Sequence, residues 1–141
     1  MAEPLAPRNP DFERVVRESF ARQSLMTTLG AVLDRVAPGE VDVSVPFAPA
    51  HCQQNGFLHA GVLASVADSA CGYAALTLAA PGQDVLAVEF KINLLRPARA
   101  ARFVARARVL RAGRTLTVSR ADVLGEEGEL VATMLSTVIS R

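Results

Sequence analysis

The sequence predicts an α+β fold in which an antiparallel sheet wraps one buried helix. Three features lead there. A length of 141 residues suits a single domain. A broad apolar stretch in mid-chain has helical spacing, and strand-like runs are segregated around it instead of alternating with helices.

Residues 11–23 place Phe12, Val15, Val16 and Phe20 at helical spacing with polar residues between them, behind the start signal Asn9-Pro10-Asp11. This is an amphipathic leading helix, which divides the chain into an N-terminal segment, 1–24, and a main domain, 25–141. Leu29 to Val36 and Glu40 to Phe47 then flank Pro38-Gly39. Val41, Val43, Val45 and Phe47 alternate with Asp42, Ser44 and Pro46, the pattern of a hairpin with one buried face. From His59 to about Ala80 the apolar positions Val62, Leu63, Val66, Ala67, Ala70, Tyr73, Ala74 and Leu76 cover too wide a surface for a solvated helix. Something must surround it. Pro81-Gly82 ends it, and four runs follow: Val85 to Leu95, Ala100 to Leu110, Thr115 to Leu124 and Leu130 to Ile139. Arg96-Pro97, Ala112-Gly113 and Gly125-Glu126-Glu127-Gly128 separate them with the turn chemistry of a meander.

Composition narrows the function. Half the residues are apolar and 21% are charged, inside the globular range. The 15 Lys+Arg nearly cancel the 14 Asp+Glu, so no whole-molecule field favours nucleic acid or an anionic membrane. Two cysteines, Cys52 and Cys71, make neither a disulfide framework nor a metal-ligand cluster, which points to a reduced, cytoplasmic setting without a metal. Met1 to Pro10 holds three prolines and no apolar core of a secretory signal. The stretch Val62 to Ala80 is interrupted by Ser65, Asp68, Ser69, Gly72 and Thr77, unlike a span in lipid.

From Val43 through Gln83, 41 residues, the only formal charge is Asp68, in the middle of the apolar helix. Its helical neighbours Gly61, Ala64, Ser65, Cys71, Gly72 and Ala75 are small and leave room beside the carboxylate. A carboxylate taken from water persists only if it is bonded or useful. A structural role would bond it to Ser65, Ser69 or a backbone amide. Upstream, Gln53-Gln54-Asn55-Gly56-Phe57-Leu58-His59-Ala60-Gly61 runs into the helix start, where unpaired N–H groups favour a developing negative charge. Backbone donors at a helix start and a carboxylate nine residues on suit acyl transfer. Nine steps span roughly 13 Å, so one carbonyl reaches both only if the carboxylate comes from a second copy of the chain.

The stretch GFLHAGVLASVADSACGYAA, with its glycine, histidine and spaced carboxylate, resembles the G-x-x-H-G-G signature with a downstream D/E of hotdog-fold acyl-CoA thioesterases of the phenylacetate-pathway (PaaI-like) and 4-hydroxybenzoyl-CoA type. VEFKINLLRPA and the final strands extend the likeness over about residues 25 to 140. The resemblance implies a curved antiparallel sheet around the helix, with two subunits sharing one continuous sheet and two interfacial sites, in a homodimer or a dimer of dimers, a homotetramer. It implies Asp68 as nucleophile or general base, the N–H of Ala60, with Gly61 behind it, as oxyanion donor, and His59 as the residue shaping the helix start. Gln53 orients the thioester carbonyl or the water. Two departures stand out: Ala60 replaces the usual glycine, and Ala87 stands where some members place a hydroxyl, leaving positioning to Gln53 and Asn55. The implied activity is hydrolysis of an aromatic or short- to medium-chain acyl-CoA, with no cofactor beyond the coenzyme A of the substrate.

Phe57, Leu58, Tyr73, Cys71, Gly72 and Ala75 are candidates for an apolar acyl pocket. Eight arginines and no acid lie between Arg96 and Arg120. They are either an exposed strand face or a site for coenzyme A phosphates, with Arg96, Arg99 and Arg114 favoured because they sit near turns. Beyond Phe103 no aromatic residue accompanies them for nucleic-acid stacking. A non-catalytic acyl-CoA-binding protein on the same fold has no need of Asp68. A hotdog dehydratase wants an Asp-His pair on one short loop, where this chain offers only His51 and Asn55, and no GxSxG supports a serine hydrolase.

Overall fold

A computed structural model describes residues 4–141; Met1 to Glu3, the start of the stretch read for an export signal, lie outside the described residues. Helix α1 (Phe12–Arg22) is followed by a short α2 (Ser24–Leu29), strands β1 (Val32–Ala37) and β2 (Glu40–Pro46), helix α3 (Ala60–Leu76), and strands β3 (Val85–Leu94), β4 (Arg102–Ala112), β5 (Leu116–Gly125) and β6 (Leu130–Ser140). The six strands form one antiparallel sheet in the order β1-β2-β4-β5-β6-β3. It curls around α3, which packs against β2 to β6, and this is the expected α+β arrangement.

Alternation decides which strand face is inside. Val41, Val43 and Val45 of β2, Phe103, Ala105 and Ala107 of β4, and Ala121 and Val123 of β5 are buried against α3. The small residues of β4 and β5 let the helix approach closely. On α3, Val62, Leu63, Val66, Ala67, Ala70, Cys71, Tyr73 and Ala74 are buried, while a stripe at Gly61, Ala64, Ser65, Asp68, Ser69 and Gly72 is left partly open. The expected small-residue seam is therefore narrower: Cys71 and Ala75 turn into the core.

Four expectations need correction. The run from Leu29 is not strand at its start. Gly30 takes φ +70° and donates to the carbonyls of Met26 and Thr27, closing α2 before β1 begins. The four late strands are not a single meander: β3 pairs with β6 at the far side, and residues 95–101 cross back to β4, so Arg96-Pro97 belongs to a crossover. Helix α3 stops at Leu76, where the Thr77 hydroxyl donates to Ala74 O at 2.6 Å and accepts from Gly39 N at 2.7 Å. Leu78 and Ala79 stay buried outside any helix. Phe47 lies beyond β2 and is exposed, whereas Ser44, on the outer face, is buried beneath Arg102.

The edge strand β3 differs from the others. Leu86, Val88, Phe90 and Leu94 are 46–54% exposed, so a ten-residue apolar strand stands open along one side. Among the described residues no helix is long and apolar enough to cross a membrane.

Candidate functional site

The start of α3 is built by its own loop. Gln53 N donates to Phe57 O at 2.9 Å, and Gly56 N to Gln53 O at 3.1 Å, a tight turn that Gly56 permits with φ +82°. The Gln53 side chain braces that turn by accepting from the backbone N–H of Asn55 and Phe57 through Oε1. Two N–H donors must face an oxygen, which fixes the carboxamide with Nε2 outward and free to donate. His59 N donates to His51 O, and Leu58 N to Ala98 O, tying the loop to the crossover.

His59 caps α3. Its Nδ1 accepts from Gly61 N at 2.7 Å, and its carbonyl accepts from Val62 N at 2.9 Å. The proton of the neutral ring is therefore on Nε2. With Gly61 and Val62 occupied, the N–H of Ala60 is the amide of the first turn that meets no acceptor among the described residues. Ala60 lines a pocket of about 430 Å³, shared with Gln53, Phe57, Leu94, Arg96 and Pro97. Arg99 stacks on Phe57 at 5.0 Å from the ring centroid.

Asp68 faces a second pocket of about 400 Å³, with Gln23, Ser69, Gly72, Tyr73 and Ala87 among its walls. Burial pushes its carboxyl above the ordinary range, and no cation offsets this. The partners expected for a structural aspartate are engaged elsewhere: Ser65 Oγ donates to Gly61 O at 2.7 Å, and Ser69 Oγ to Gln23 Oε1 at 2.8 Å. The Cys71 thiol, pushed up to about 12 by burial first and by Asp68 second, is a buried, protonated filler that lines neither pocket.

The sequence-designated residues thus fall into two groups in one chain. Gln53, Phe57, Leu58, Ala60 and Arg96 line one pocket; Asp68, Gly72 and Tyr73 line the other. Asn55 is exposed and lines neither. The arginines also divide. Arg102 reaches Asp34 of β1 across β2, Arg106 meets Asp42 of the neighbouring β2, and Arg120 meets Asp122 of its own strand, so three of the eight arginines are paired within the sheet. Arg96 and Arg99 sit before β4, whereas Arg114 follows it, with an eleven-residue strand between them. Sequence reasoning missed Ser19, Gln23 and Asp84, which line the Asp68 pocket. Ser19 and Gln23 come from the leading helix and its end, where polar residues read as a solvated face.

Comparison with known proteins agrees with this architecture. The thioesterase superfamily model matches residues 55–132, more than half of the chain. A thioesterase family protein from Silicibacter pomeroyi is 48% identical in sequence, with 92% of this chain and 97% of that one covered at a TM-score of 0.88. The PaaI protein of the E. coli phenylacetic acid degradation operon shares the fold at a TM-score of 0.86, covering 93% and 94% of the two chains at 20% identity. A relative from Saccharolobus solfataricus, carried under a provisional esterase name, is 31% identical over 84% of this chain and 85% of its own. Together with a helix start that leaves one amide free, these matches show that the chain belongs to the thioesterase superfamily and is a thioester hydrolase of the hotdog fold.

Proposed function

We propose that the protein hydrolyses acyl-CoA thioesters at a site completed by two copies of the chain. The observation that carries this is the placement of both half-sites along the open edge strand. Val85, Leu86 and Ala87 border the Asp68 pocket, and Leu94 borders the Ala60 pocket. Leu86 and Leu94 are about 26 Å apart along β3 at the usual strand rise. Antiparallel pairing of β3 with the β3 of a second copy, centred near Phe90, sets one copy's Asp68 end against the other's Ala60 end. It also covers the apolar edge and the open stripe of α3.

In that arrangement the thioester carbonyl accepts from the Ala60 N–H and from Nε2 of Gln53. Both donors are held by the loop before the substrate arrives, which is where electrostatic stabilisation of an oxyanion is strongest. The Asp68 carboxylate takes a proton from water as its oxygen bonds to the carbonyl carbon. The tetrahedral intermediate then expels the coenzyme A thiolate, which leaves as the thiol once protonated. Desolvation makes Asp68 a stronger base than a solvated aspartate. Arg96 and Arg99, at the mouth of the Ala60 pocket, serve the phosphates.

The test is a panel of aromatic and short- to medium-chain acyl-CoAs assayed with a thiol-detecting reagent. Wild-type protein turns over at least one, and Asp68→Asn lowers kcat by at least about 100-fold. No turnover of any member, or near-normal turnover by the variant, overturns the proposal.

A further inference from the structure

Resting on the acyl-CoA reading above, we propose that Gln23 is a specificity-determining residue that recognises a hydroxyl at the far end of the acyl chain. The Asp68 pocket carries a row of polar groups on the wall where the leading helix meets α3. Ser69 Oγ donates to Gln23 Oε1 at 2.8 Å, Gln23 Nε2 donates to Tyr73 Oη at 3.0 Å, and Tyr73 Oη lies 3.3 Å from Ser19 Oγ. All four residues line the pocket. A carboxamide has two N–H donors and two lone pairs on its oxygen. The row engages one of each, and among the described residues the other donor and the other lone pair of Gln23 have no partner. One free donor beside one free acceptor is the complement of a hydroxyl, which both accepts and donates.

Tyr73 is five positions beyond Asp68, about 7.5 Å along the helix. A chain of moderate length with its carbonyl near Asp68 therefore reaches the row. Leu76, Leu86 and Val138 line the way for its methylenes. A methyl terminus leaves the amide of Gln23 desolvated and unpaired, which is how a polar site rejects an analogue that lacks the hydroxyl. Asp84 lines the same pocket, so with Asp68 it repels an anionic terminus. The recognised group is thus neutral as well as polar. Gln23 lies outside the 55–132 stretch that matches the superfamily.

The experiment compares hexanoyl-CoA, 6-hydroxyhexanoyl-CoA and adipoyl-CoA, which share six carbons and differ only at the terminus. For the wild type, kcat/KM is highest for the hydroxylated substrate and lowest for adipoyl-CoA. Gln23→Leu, whose backbone role at the helix junction is unaffected by the side chain, lowers the hydroxylated-to-plain ratio by about tenfold, the loss of one hydrogen bond. Tyr73→Phe keeps the ring and lowers the ratio by releasing the Gln23 amide. A merely structural role changes stability or overall rate and leaves the ratio alone. An unchanged ratio in both variants overturns the inference, as does a wild-type preference for hexanoyl or adipoyl. Calorimetric titration of Asp68→Asn reads the same preference without turnover. Tighter binding of the hydroxylated ester, with no hydrolysis by the wild type, overturns the hydrolase reading and upholds the role of Gln23.

Discussion

The imidazole Nδ1 of His59 accepts the backbone N–H of Gly61 at 2.7 Å, and a methyl group on Gly61 would sit 2.9 Å from that same nitrogen. The glycine is therefore required by the cap, since any side chain displaces the ring that holds the first turn. His59→Ala is expected to cost about 1 kcal/mol, the usual loss of an N-cap, measured by chemical denaturation. His59→Asn supplies another cap acceptor and restores stability. It also restores most activity if the imidazole only shapes the helix; stable but inactive Asn protein would show that the ring takes part in the reaction.

Burial pushes the carboxyl of Asp68 above the 3.8 of an ordinary aspartate. The unfolded chain releases that proton more easily, so between the unfolded and the folded value the native state binds more protons, and stability falls as pH rises. Asp68→Asn removes the cost. The variant is expected to melt higher than wild type at neutral pH, with the gap closing below about pH 3.8, the unfolded value. Calorimetric melting across pH checks this, and a lower Tm at neutral pH would mean that Asp68 has a stabilising partner in the assembled protein.

If the site spans two copies, subunits carrying Asp68→Asn and subunits carrying Gln53→Ala each lack a different half. Mixed after mild unfolding, they are expected to recover activity, because a heterodimer holds one intact site and one doubly damaged site. Assaying the mixture against each parent decides it. Absence of recovery, with mixed dimers demonstrated by mass, would place both residues in one subunit's site.

Arg96 and Arg99 flank the Ala60 pocket, and Arg114 lies beyond the other end of β4. Replacing Arg96 or Arg99 with Ala is expected to raise KM for acyl-CoA with little change in kcat, more at low salt than at high salt. Arg114→Ala joins them only if the partner's end of the sheet borders the same nucleotide. A one-chain site predicts no effect, so steady-state kinetics on this variant bears on the same architecture independently.

Ser119 and Ser136 stand opposite each other on β5 and β6, fully buried, and among the described residues neither hydroxyl has a hydrogen-bond partner. Removing an unpaired buried hydroxyl takes away a desolvation cost along with a small volume. Ser119→Ala is expected to be neutral or to stabilise by up to about 1 kcal/mol, unlike most buried substitutions. Denaturant unfolding checks the sign.

Much of the architecture was legible because burial writes itself into periodicity. The alternation of Val41, Val43 and Val45 marked the inner face of β2, and the breadth of apolar positions from Val62 to Leu76 marked a helix wrapped by a sheet. Strand order was not legible, because a turn sequence such as Arg96-Pro97 ends a strand equally well before a hairpin or a crossover. The lone charge at Asp68 and the helix start at Ala60 were visible as contrasts of composition. Gln23 was not: a glutamine at the end of an amphipathic helix carries no such contrast, and only the packing of that helix on Tyr73 brings it to the pocket wall. The basic stretch misled for a related reason. Its counter-charges Asp34 and Asp42 lie some sixty residues upstream and come within reach only when β2 pairs with β4 and carries β1 on its other side.

The edge strand β3 has one occupied side, and the strand beside it, β6, leaves the ribosome about forty residues later. Until residues 132–140 are made, the stretch 85–94 has no neighbour on either flank within its own chain. Both flanks of that strand are thus open to pairing until synthesis has passed the last strand. A ribosome-bound chain stopped before β6 would present a sticky ribbon with two free sides, and partner choice between nascent copies on one message would be least discriminating at that moment.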